Sequence, residues 1–366
     1  MKKKKLIIFM PAIEGGGVEK NLFIISNFLA KKISNITLIN ASRKFNNKFK
    51  NINIINPYFK FWDKMGRKGR YFICLIHLIK IFLKDNNCVV FAFQANLYCI
   101  LICRIFKIKV ITRSNSSPSG WSKNFVKTFI FEKLLKLSNL IIVNSYEFKK
   151  ELKRKFNVKS VCIYNPLNKK EILKKSKEKI NIKFFGKKTL NIINVARFAD
   201  QKDQITLLEA LNMYKKKLNF KLVLVGRGAL KNKLLDFIQI NNLKNKIKLI
   251  DFQNNPFKFI KKSDLFILSS KFEGLPNVIL EAMVLKKFVI SSDCPTGPKE
   301  ILLSGKGGFL FKTGSAKDLG EKIMFYAKNK KKLRPKIIFS YKNLNRFDYN
   351  KNLNKYYSLI NDKLIN

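Results

Sequence analysis

Short apolar runs alternate with longer stretches of helical periodicity along nearly the whole chain, a pattern typical of βαβ units. The first half contains five apolar runs of strand length, at Leu6–Met10, Ile36–Asn40, Val89–Phe93, Lys109–Thr112 and Leu140–Asn144. Helical patterns fall between them, as at Val18–Ala30 and Asn124–Leu137. Because strands that are separated by helices pair in parallel, this half is expected to form a doubly wound sheet.

The same alternation begins again after residue 186. The predicted strands are Leu190–Ala196, Lys221–Val225, Ile247–Ile250, Asp264–Leu268 and Phe288–Ser291. The predicted helices are Asp203–Lys216, Ala229–Ile240, Asn277–Leu285 and Ala316–Lys328. A chain of 366 residues has room for two domains of ordinary size.

A polar, Lys-rich stretch between Pro166 and Gly186 separates the two sets of elements. We therefore predict an α/β fold made of two doubly wound, Rossmann-like domains. The first would span residues 1–168 and the second residues 169–340. A helical tail, residues 341–366, is expected to pack back towards the first domain.

The charge balance at first suggests a nucleic-acid-binding protein, because 75 Lys and Arg face 23 Asp and Glu, a formal net charge of +52. The excess is almost all Lys, is spread along the chain, and accompanies heavy use of Asn, Ile and Phe. A compositional bias of the genome would produce that set by itself, and Lys is poorer than Arg at bidentate phosphate contacts. We predict no nucleic-acid partner; the charge favours an anionic membrane surface instead.

Cysteine usage and hydropathy predict a cytoplasmic protein. The six cysteines lack metal-ligand spacing and are expected to be free thiols. The apolar run Leu6–Met10 is too short for a signal peptide and fits a buried strand. Tyr71–Leu83 and Leu97–Ile111 contain charged or titratable residues and fall short of the ~20 apolar residues that span a bilayer. Peripheral contact with the inner face of the membrane is compatible with this location.

The segment Phe272–Met283 is the most informative part of the chain. An apolar strand precedes this segment. The segment itself begins with a short loop that contains Gly and Pro, and a helix is predicted from Asn277. A helix start at the carboxyl edge of a parallel sheet attracts anions. Glu281 lies one turn beyond Asn277 on the same helix face, and Glu273 precedes the helix. Because carboxylates repel bare phosphate, the ligand class that fits is a diphosphate flanked by sugar hydroxyls.

Further candidate residues follow other predicted strands. Arg197 and Lys202 follow the first strand of the second half, where both cations can converge on a diphosphate. Three consecutive glycines, Gly15–Gly17, follow the first strand of the chain and would let the backbone approach a ligand. Gly226 and Gly228 follow the strand that ends at Val225.

These segments, in their order and spacing, resemble the retaining nucleotide-sugar glycosyltransferases of the GT-B fold, family four (group 1). The match consists of the glycine-rich turn, Arg197 with Lys202, Gly226-x-Gly228, and Glu273 with Glu281. Residues 293–302 are similar to those of members that build lipid-linked surface glycans. The resemblance covers essentially the whole chain and implies two Rossmann-like domains that face each other across a cleft.

The resemblance implies a hexosyltransferase that moves a hexose or N-acetylhexosamine from a UDP-sugar to a glycan or a polyprenyl-diphosphate-linked acceptor. Arg197 and Lys202 would stabilise the leaving diphosphate, Glu273 would contact the transferred sugar, and Glu281 would bind the ribose. Further donor contacts are implied for Gly16, Gly17, Gly226, Gly274, Leu275, Pro276 and Asn277.

The chain departs from the family at one position. Many relatives carry a His near the donor sugar, but the only His here is His77, in an apolar helical run where a packed residue is expected. Arg113 and Asn115 are candidates for acceptor contacts in the corresponding region. The resemblance implies that the leaving diphosphate accepts the acceptor proton. No Asp-x-Asp pair occurs in the sequence, so we predict no required metal and no cofactor.

Alternatives remain open from the sequence. The helix Asn124–Leu137 mixes aromatic, aliphatic and Lys residues, and it fits either an anionic lipid surface or ordinary packing on a sheet. A sugar-nucleotide epimerase of the same architecture, a basic nucleic-acid-binding protein and a catalytically silent sugar-nucleotide binder are the competing functions. Of these the ordered glycine, cation and glutamate positions favour the transferase.

Overall fold

The chain folds into two compact units. A computed structural model describes residues 4–115, 121, 124–180 and 184–365. The first unit consists of Met1–Pro166 together with Tyr349–Asn366, and the second is Leu167–Asp348. The predicted α/β fold of two doubly wound sheets is confirmed.

The first unit is built on a seven-stranded parallel sheet with the order β3-β2-β1-β4-β5-β6-β7. Its strands are β1 (Lys5–Phe9), β2 (Ile36–Ile39), β3 (Asn53–Ile55), β4 (Cys88–Ala92), β5 (Lys109–Ser114), β6 (Leu140–Val143) and β7 (Val161–Cys162). Its helices are α1 (Gly17–Leu29), α2 (Arg67–Lys84), α3 (Asn96–Ile105), α4 (Phe125–Lys136) and α5 (Tyr146–Phe156), with α14 (Tyr349–Ile365) returning from the end of the chain.

Both faces of this sheet are buried, which is why its strands are continuous apolar runs. In β1, Leu6 and Ile8 pack on α1 and α14, whereas Ile7 and Phe9 pack on the layer formed by α2, α3, α4 and α5. His77 lies in α2 and is partly buried. Burial and the neighbouring Lys80 lower the pKa of its imidazole, so the neutral form is favoured near neutral pH.

The second unit has a six-stranded parallel sheet with the order β10-β9-β8-β11-β12-β13. Its strands are β8 (Leu190–Val195), β9 (Phe220–Val225), β10 (Ile247–Ile250), β11 (Leu265–Leu268), β12 (Phe288–Ser292) and β13 (Phe309–Phe311). Its helices are α6 (Lys169–Ser176), α7 (Gln204–Met213), α8 (Lys231–Ile240), α9 (Phe257–Lys262), α10 (Asn277–Val284), α11 (Pro298–Ile301), α12 (Ala316–Asn329) and α13 (Arg334–Lys342).

The strands that the sequence pattern did not indicate are short and lie at sheet edges. β3 and β7 are the two edges of the first sheet, and β13 is one edge of the second. Each has two or three residues, too few to produce a run of apolar positions.

The last part of the chain divides between the units at residue 348. Leu344 and Phe347 are fully buried, and Arg346 donates hydrogen bonds to the carbonyls of Glu300 and Ile301 in the second unit. Packing on the first unit therefore begins only with α14, later than the predicted tail boundary at 341. There α14 packs against α1 and β4.

A buried arginine fastens α14 to the first sheet. Arg113, at the end of β5, is fully buried, and its Nε donates to the hydroxyl of Tyr356 at 2.9 Å. Its other nitrogens donate to the side-chain oxygens of Asn165, at 2.7 Å, and Asn115. Its guanidinium also lies 5.5 Å from the ring centroid of Phe93. Arg113 is thus a packing residue in this structure rather than an open ligand contact.

Among the described residues, no helix is both long enough and apolar enough to cross a membrane.

Tyr356→Phe should lower the free energy of unfolding by about 1–3 kcal/mol, because the buried Arg113 Nε–H would lose its acceptor. The matched control is Tyr357→Phe on the same helix, since Tyr357 is only partly buried and contacts Lys32 through its ring. Urea unfolding followed by circular dichroism compares the two variants with wild type. Equal midpoints for Tyr356→Phe and wild type would show that this bond does not stabilise the fold.

Candidate functional site

The second sheet reverses its strand order between β8 and β11. β8 pairs with β9 on one side and with β11 on the other, with Leu265 opposite Ile192. The loops that leave two such strands at their carboxyl ends turn to opposite faces of the sheet and open a crevice between them. The loop after β8 carries Arg197 and Lys202, and the loop after β11 carries Glu273. The candidate site therefore forms where open α/β sheets bind ligands.

Lys202 and Glu273 form an ion pair in this crevice. Lys202 Nζ lies 2.5 Å from Glu273 Oε1, and both side chains are largely buried, at 16% and 8% exposure. The hydroxyl of Ser270 donates to the same carboxylate oxygen at 2.6 Å. Burial makes such a pair costly to form and costly to break, so it is weak evidence for a stabilising role. A role in binding a ligand is a physical reason for the chain to retain this buried ion pair.

The two loops are fastened to each other through backbone groups. Gln201 Nε2 donates to the carbonyl of Phe272 at 2.8 Å, and Ser269 Oγ donates to the carbonyl of Lys202 at 3.0 Å. Lys202 lies in a single 3-10 turn, Asp200–Lys202, and is held by these bonds rather than by a regular helix. The position of the ammonium group is thus fixed relative to the loop after β11.

A third loop, which follows β12, holds the backbone of Glu273 in place. The hydroxyl of Thr296 in this loop donates to the carbonyl of Glu273 at 2.6 Å. Gly297 has a φ of +88°, and a Cβ added there would overlap the carbonyl oxygen of Gly274. Only glycine accommodates both the left-handed backbone and this close approach. Ser270, Thr296 and Gly297 were not among the predicted site residues, although the run Thr296-Gly297-Pro298 is a turn signal.

α10 begins at Asn277 directly after the loop that contains Gly274, Leu275 and Pro276, all of which are buried. The positive end of its dipole lies at the same sheet edge as the ion pair. Glu281 is one turn along α10 and is 4% exposed. The structure therefore brings Lys202, Glu273 and the start of α10 to one edge of the sheet, as predicted, and places Glu281 one turn further along α10.

Arg197 and Gly226 lie on neighbouring loops. The side chain of Arg197 is exposed, while its carbonyl accepts a bond from Gln204 Nε2 at 2.8 Å. Gly226, at the end of β9, is buried, and a Cβ there would overlap the carbonyl oxygen of Ala196. The glycine thus lets the loop after β9 pack directly on the backbone that precedes Arg197.

Cys294 lies in the loop after β12, and its buried thiol is close enough to Glu273 to be affected by the charge of that carboxylate. Burial, together with the nearby Glu273 carboxylate, raises the pKa of the Cys294 thiol to about 12. Near neutral pH the thiol therefore stays protonated, so Cys294 is not a nucleophile of this site.

The glycine-rich turn, Gly15–Gly17, lies in the first unit, whereas the other predicted site residues lie in the second. Gly16 is the N-cap of α1, and both Gly16 and Gly17 are exposed. The carboxylate of Glu19, in the first turn of the helix, accepts a bond from the Glu14 backbone N–H at 3.3 Å. Because this helix start already has a carboxylate beside it, a hydroxyl is a better partner there than a bare phosphate.

Residues 175–352, which include both loops of the ion pair, match the family model described as glycosyl transferases group 1. This part of the chain is a group 1 glycosyl transferase domain. The domain contains every predicted donor-binding residue except Gly16 and Gly17.

Two relatives illustrate the similarity in sequence. An uncharacterized glycosyltransferase of Methanocaldococcus jannaschii is 36% identical over 217 residues, which are 56% of this chain and 53% of the relative. The match thus spans about half of that relative's length. The N-acetylgalactosamine-N,N'-diacetylbacillosaminyl-diphospho-undecaprenol 4-alpha-N-acetylgalactosaminyltransferase of Campylobacter jejuni is 29% identical over 258 residues, 65% of this chain and 69% of the relative.

Solved structures share the fold. Anabaena HepE in complex with UDP-glucose matches 98% of this chain and 100% of its own, with a TM-score of 0.79 at 16% identity. A glycosyltransferase from Rickettsia africae covers 100% of both chains with a TM-score of 0.79 at 19% identity. At these identities the likeness shows the GT-B fold alone.

Gly297→Ala should destabilise the group 1 domain by clearly more than Gly314→Ala. Both glycines have left-handed backbones, at φ +88° and +76°, which cost a residue with a Cβ about 1–2 kcal/mol. Nothing lies within 4 Å of a Cβ added at Gly314, whereas at Gly297 it would overlap the Gly274 carbonyl. Urea unfolding of both variants measures the difference, and equal losses would show that the Gly274 contact is easily relieved.

Proposed function

We propose that this protein is a retaining glycosyltransferase that moves a hexose or N-acetylhexosamine from a UDP-sugar to a glycan or a polyprenyl-diphosphate-linked acceptor. The observation that carries the proposal is the buried pair of Lys202 and Glu273 at the strand-order reversal of the second sheet. A cation and a carboxylate side by side suit a ligand that presents phosphate and sugar hydroxyls together.

The donor diphosphate would take the cationic side of the crevice. Lys202, the exposed Arg197 and the start of α10 all offer positive charge at this edge. The backbone of residues 274–277 would line the phosphates and the sugar, and Gly226 would keep the neighbouring loop close enough to contribute.

The two carboxylates would take hydroxyl groups. Glu273 would accept a hydrogen bond from the transferred sugar, and Glu281, one helical turn further, would accept one from the ribose. When the diphosphate draws Lys202 towards itself, the oxygen of Glu273 that Lys202 now contacts becomes available to the sugar. Gly16 and Gly17 are proposed as further contacts to a donor hydroxyl, since Glu19 disfavours phosphate at their helix start.

In the proposed reaction, the bond between the sugar C1 and the diphosphate oxygen breaks while a bond from C1 to the acceptor oxygen forms on the same face. The acceptor's proton passes to the departing diphosphate, and UDP leaves. The protein's contribution is electrostatic, because Lys202 and Arg197 stabilise the negative charge that develops on the leaving group.

The names of similar proteins support the choice of donor and acceptor. The Campylobacter relative acts on a diphospho-undecaprenol acceptor by its name, and Anabaena HepE was crystallised with UDP-glucose. A second Campylobacter relative, 31% identical over 231 residues, is also named as a transferase to a diphospho-undecaprenol. A polyprenyl-diphosphate acceptor and a UDP-sugar donor are therefore the first to test.

Lys202→Met and Glu273→Gln should each lower kcat by about 10²–10³, the usual loss when one preorganised charged group is removed. Lys322→Met is the matched control, since Lys322 forms a partly exposed ion pair with Asp318 on α12. The assay measures acceptor-dependent release of UDP from a panel of UDP-sugars, with a polyprenyl-diphosphate-linked sugar as acceptor. Circular dichroism verifies that each variant is folded.

Product analysis separates this proposal from its competitors. A longer glycan with free UDP supports the transferase, and an altered UDP-sugar without release of UDP would replace it by an epimerase. Full activity of folded Lys202→Met would remove the ion pair from the mechanism.

Turnover should persist in EDTA, because Lys202 and Arg197 supply the positive charge that a divalent ion provides in metal-dependent transferases. The rate of UDP release is measured before and after chelation, then with added Mg²⁺ or Mn²⁺. A rate that collapses on chelation and returns with metal would contradict this prediction.

A further inference from the structure

An exposed group of aromatic side chains lies between β3 and α2 in the first unit. We call residues 58–65 the aromatic turn. Tyr58 is 87% exposed, Phe59 61% and Phe61 52%, and Met65 is also exposed. Single exposed apolar residues are ordinary, but several consecutive ones that face water mark an interaction surface.

The rings of the aromatic turn form one continuous patch. Tyr58 and Phe59 have ring centroids 5.1 Å apart, Phe59 and Phe61 6.2 Å, and Phe61 and Trp62 4.6 Å. They contact each other instead of folding back onto the core, which leaves their outer faces in water.

The backbone of the aromatic turn is fixed by two arginines. Arg43 donates to the carbonyls of Pro57 and Tyr58, the latter at 2.9 Å, and Arg70 Nε donates to the carbonyl of Met65 at 2.8 Å. Both ends of the turn are thus tied to the body of the unit. The exposed rings are presented by a held backbone, so their exposure is a property of the fold.

Cations surround the rings. Lys60, Lys64 and Lys68 are exposed, and Arg67 pairs with Glu14 at 2.5 Å. The acidic residue of the turn, Asp63, lies 4.0 Å from Arg43. The surface therefore combines apolar rings with uncompensated positive charge, which is complementary to an anionic partner.

The same side of the sheet continues this character on the helices that follow. The aromatic turn contacts α2, α2 contacts α3, and α3 contacts α4. The outer surfaces of α3 and α4 expose further apolar residues, namely Tyr98, Leu101, Ile105, Val126, Phe129 and Ile130. Lys127, Lys133 and Lys136 lie among them on α4.

We infer that the aromatic turn inserts into the interface of an anionic lipid bilayer and that the outer faces of α3 and α4 rest on the same surface. Aromatic rings favour the boundary between lipid headgroups and acyl chains, and adjacent lysines are attracted to anionic headgroups. A nucleic acid could stack on the rings, but it would leave the aliphatic side chains of α3 and α4 unburied. A bilayer covers both.

This inference extends the proposed function by placing the enzyme where a lipid-linked acceptor resides. Its test needs neither donor nor acceptor, so failure of the transferase assay leaves it untouched. Conversely, a protein that transfers sugar to a detergent-solubilised acceptor without binding vesicles would retain the function and lose the inference.

The test is sedimentation of the full chain with vesicles of phosphatidylcholine, with or without phosphatidylglycerol. Wild type should bind the anionic vesicles and should bind less at high salt. The triple variant Tyr58→Ser, Phe59→Ser, Phe61→Ser should bind at least roughly tenfold more weakly. The matched control replaces three similarly exposed residues of the second unit, Met213→Ser, Ile240→Ser and Phe325→Ser, and should bind as wild type does.

Tryptophan fluorescence adds a readout of insertion. The chain has two Trp, and Trp121 is packed against Phe131, Phe148 and Phe156, whereas Trp62 belongs to the aromatic turn. Lipids with a bromine-labelled acyl chain should quench wild type, and Trp62→Phe should bind vesicles but lose most of the quenching.

Three outcomes would overturn the inference. Wild type could fail to bind anionic vesicles, or the triple variant could bind them as wild type does. The triple variant could also abolish self-association or RNA binding that is measured without lipid and exceeds the vesicle affinity of wild type, which would assign the patch to that partner.

Discussion

Parallel pairing is the constraint on which both units depend. A parallel strand can be reached only by a crossover that returns the chain to the starting edge, so every strand delivers its following loop to the same edge of the sheet. Beside β8 the strand order reverses, so the loops after β8 and β11 turn to opposite faces of the sheet. Lys202 and Glu273 come together because their strands are neighbours, although 71 residues separate them along the chain.

The chemistry of the crevice follows from how little water reaches it. On an open surface, water would compete for a lysine and a glutamate, and their ion pair would contribute little to stability. Here both are largely buried, and hydrogen bonds from Ser269 and Gln201 fix the loops that carry them. The loops that carry the two charges are thus held in place before any ligand arrives, which limits the reorganisation that a reaction would require.

The central strands and the loops that follow them could be predicted from the sequence, because burial on both faces makes each strand an apolar run and each loop a polar interruption. The edge strands β3, β7 and β13 were too short to produce such a signal. Ser270 and Thr296 were missed for another reason. Their roles depend on hydrogen bonds to Glu273, and single Ser or Thr residues produce no periodic pattern in the sequence that would indicate such bonds. The burial of Arg113 could not be predicted from the sequence either, because its hydrogen-bond acceptor Tyr356 is 243 residues away along the chain.

The return of α14 to the first unit makes the second unit an insertion within the first. During synthesis, the first sheet emerges from the ribosome with the face that α14 covers still open to water, and with Arg113 still without its tyrosine. That face stays incomplete while the whole second unit is translated and folds. The order of synthesis therefore leaves this apolar surface open until the second unit has been translated, and it is the kind of surface that chaperones bind.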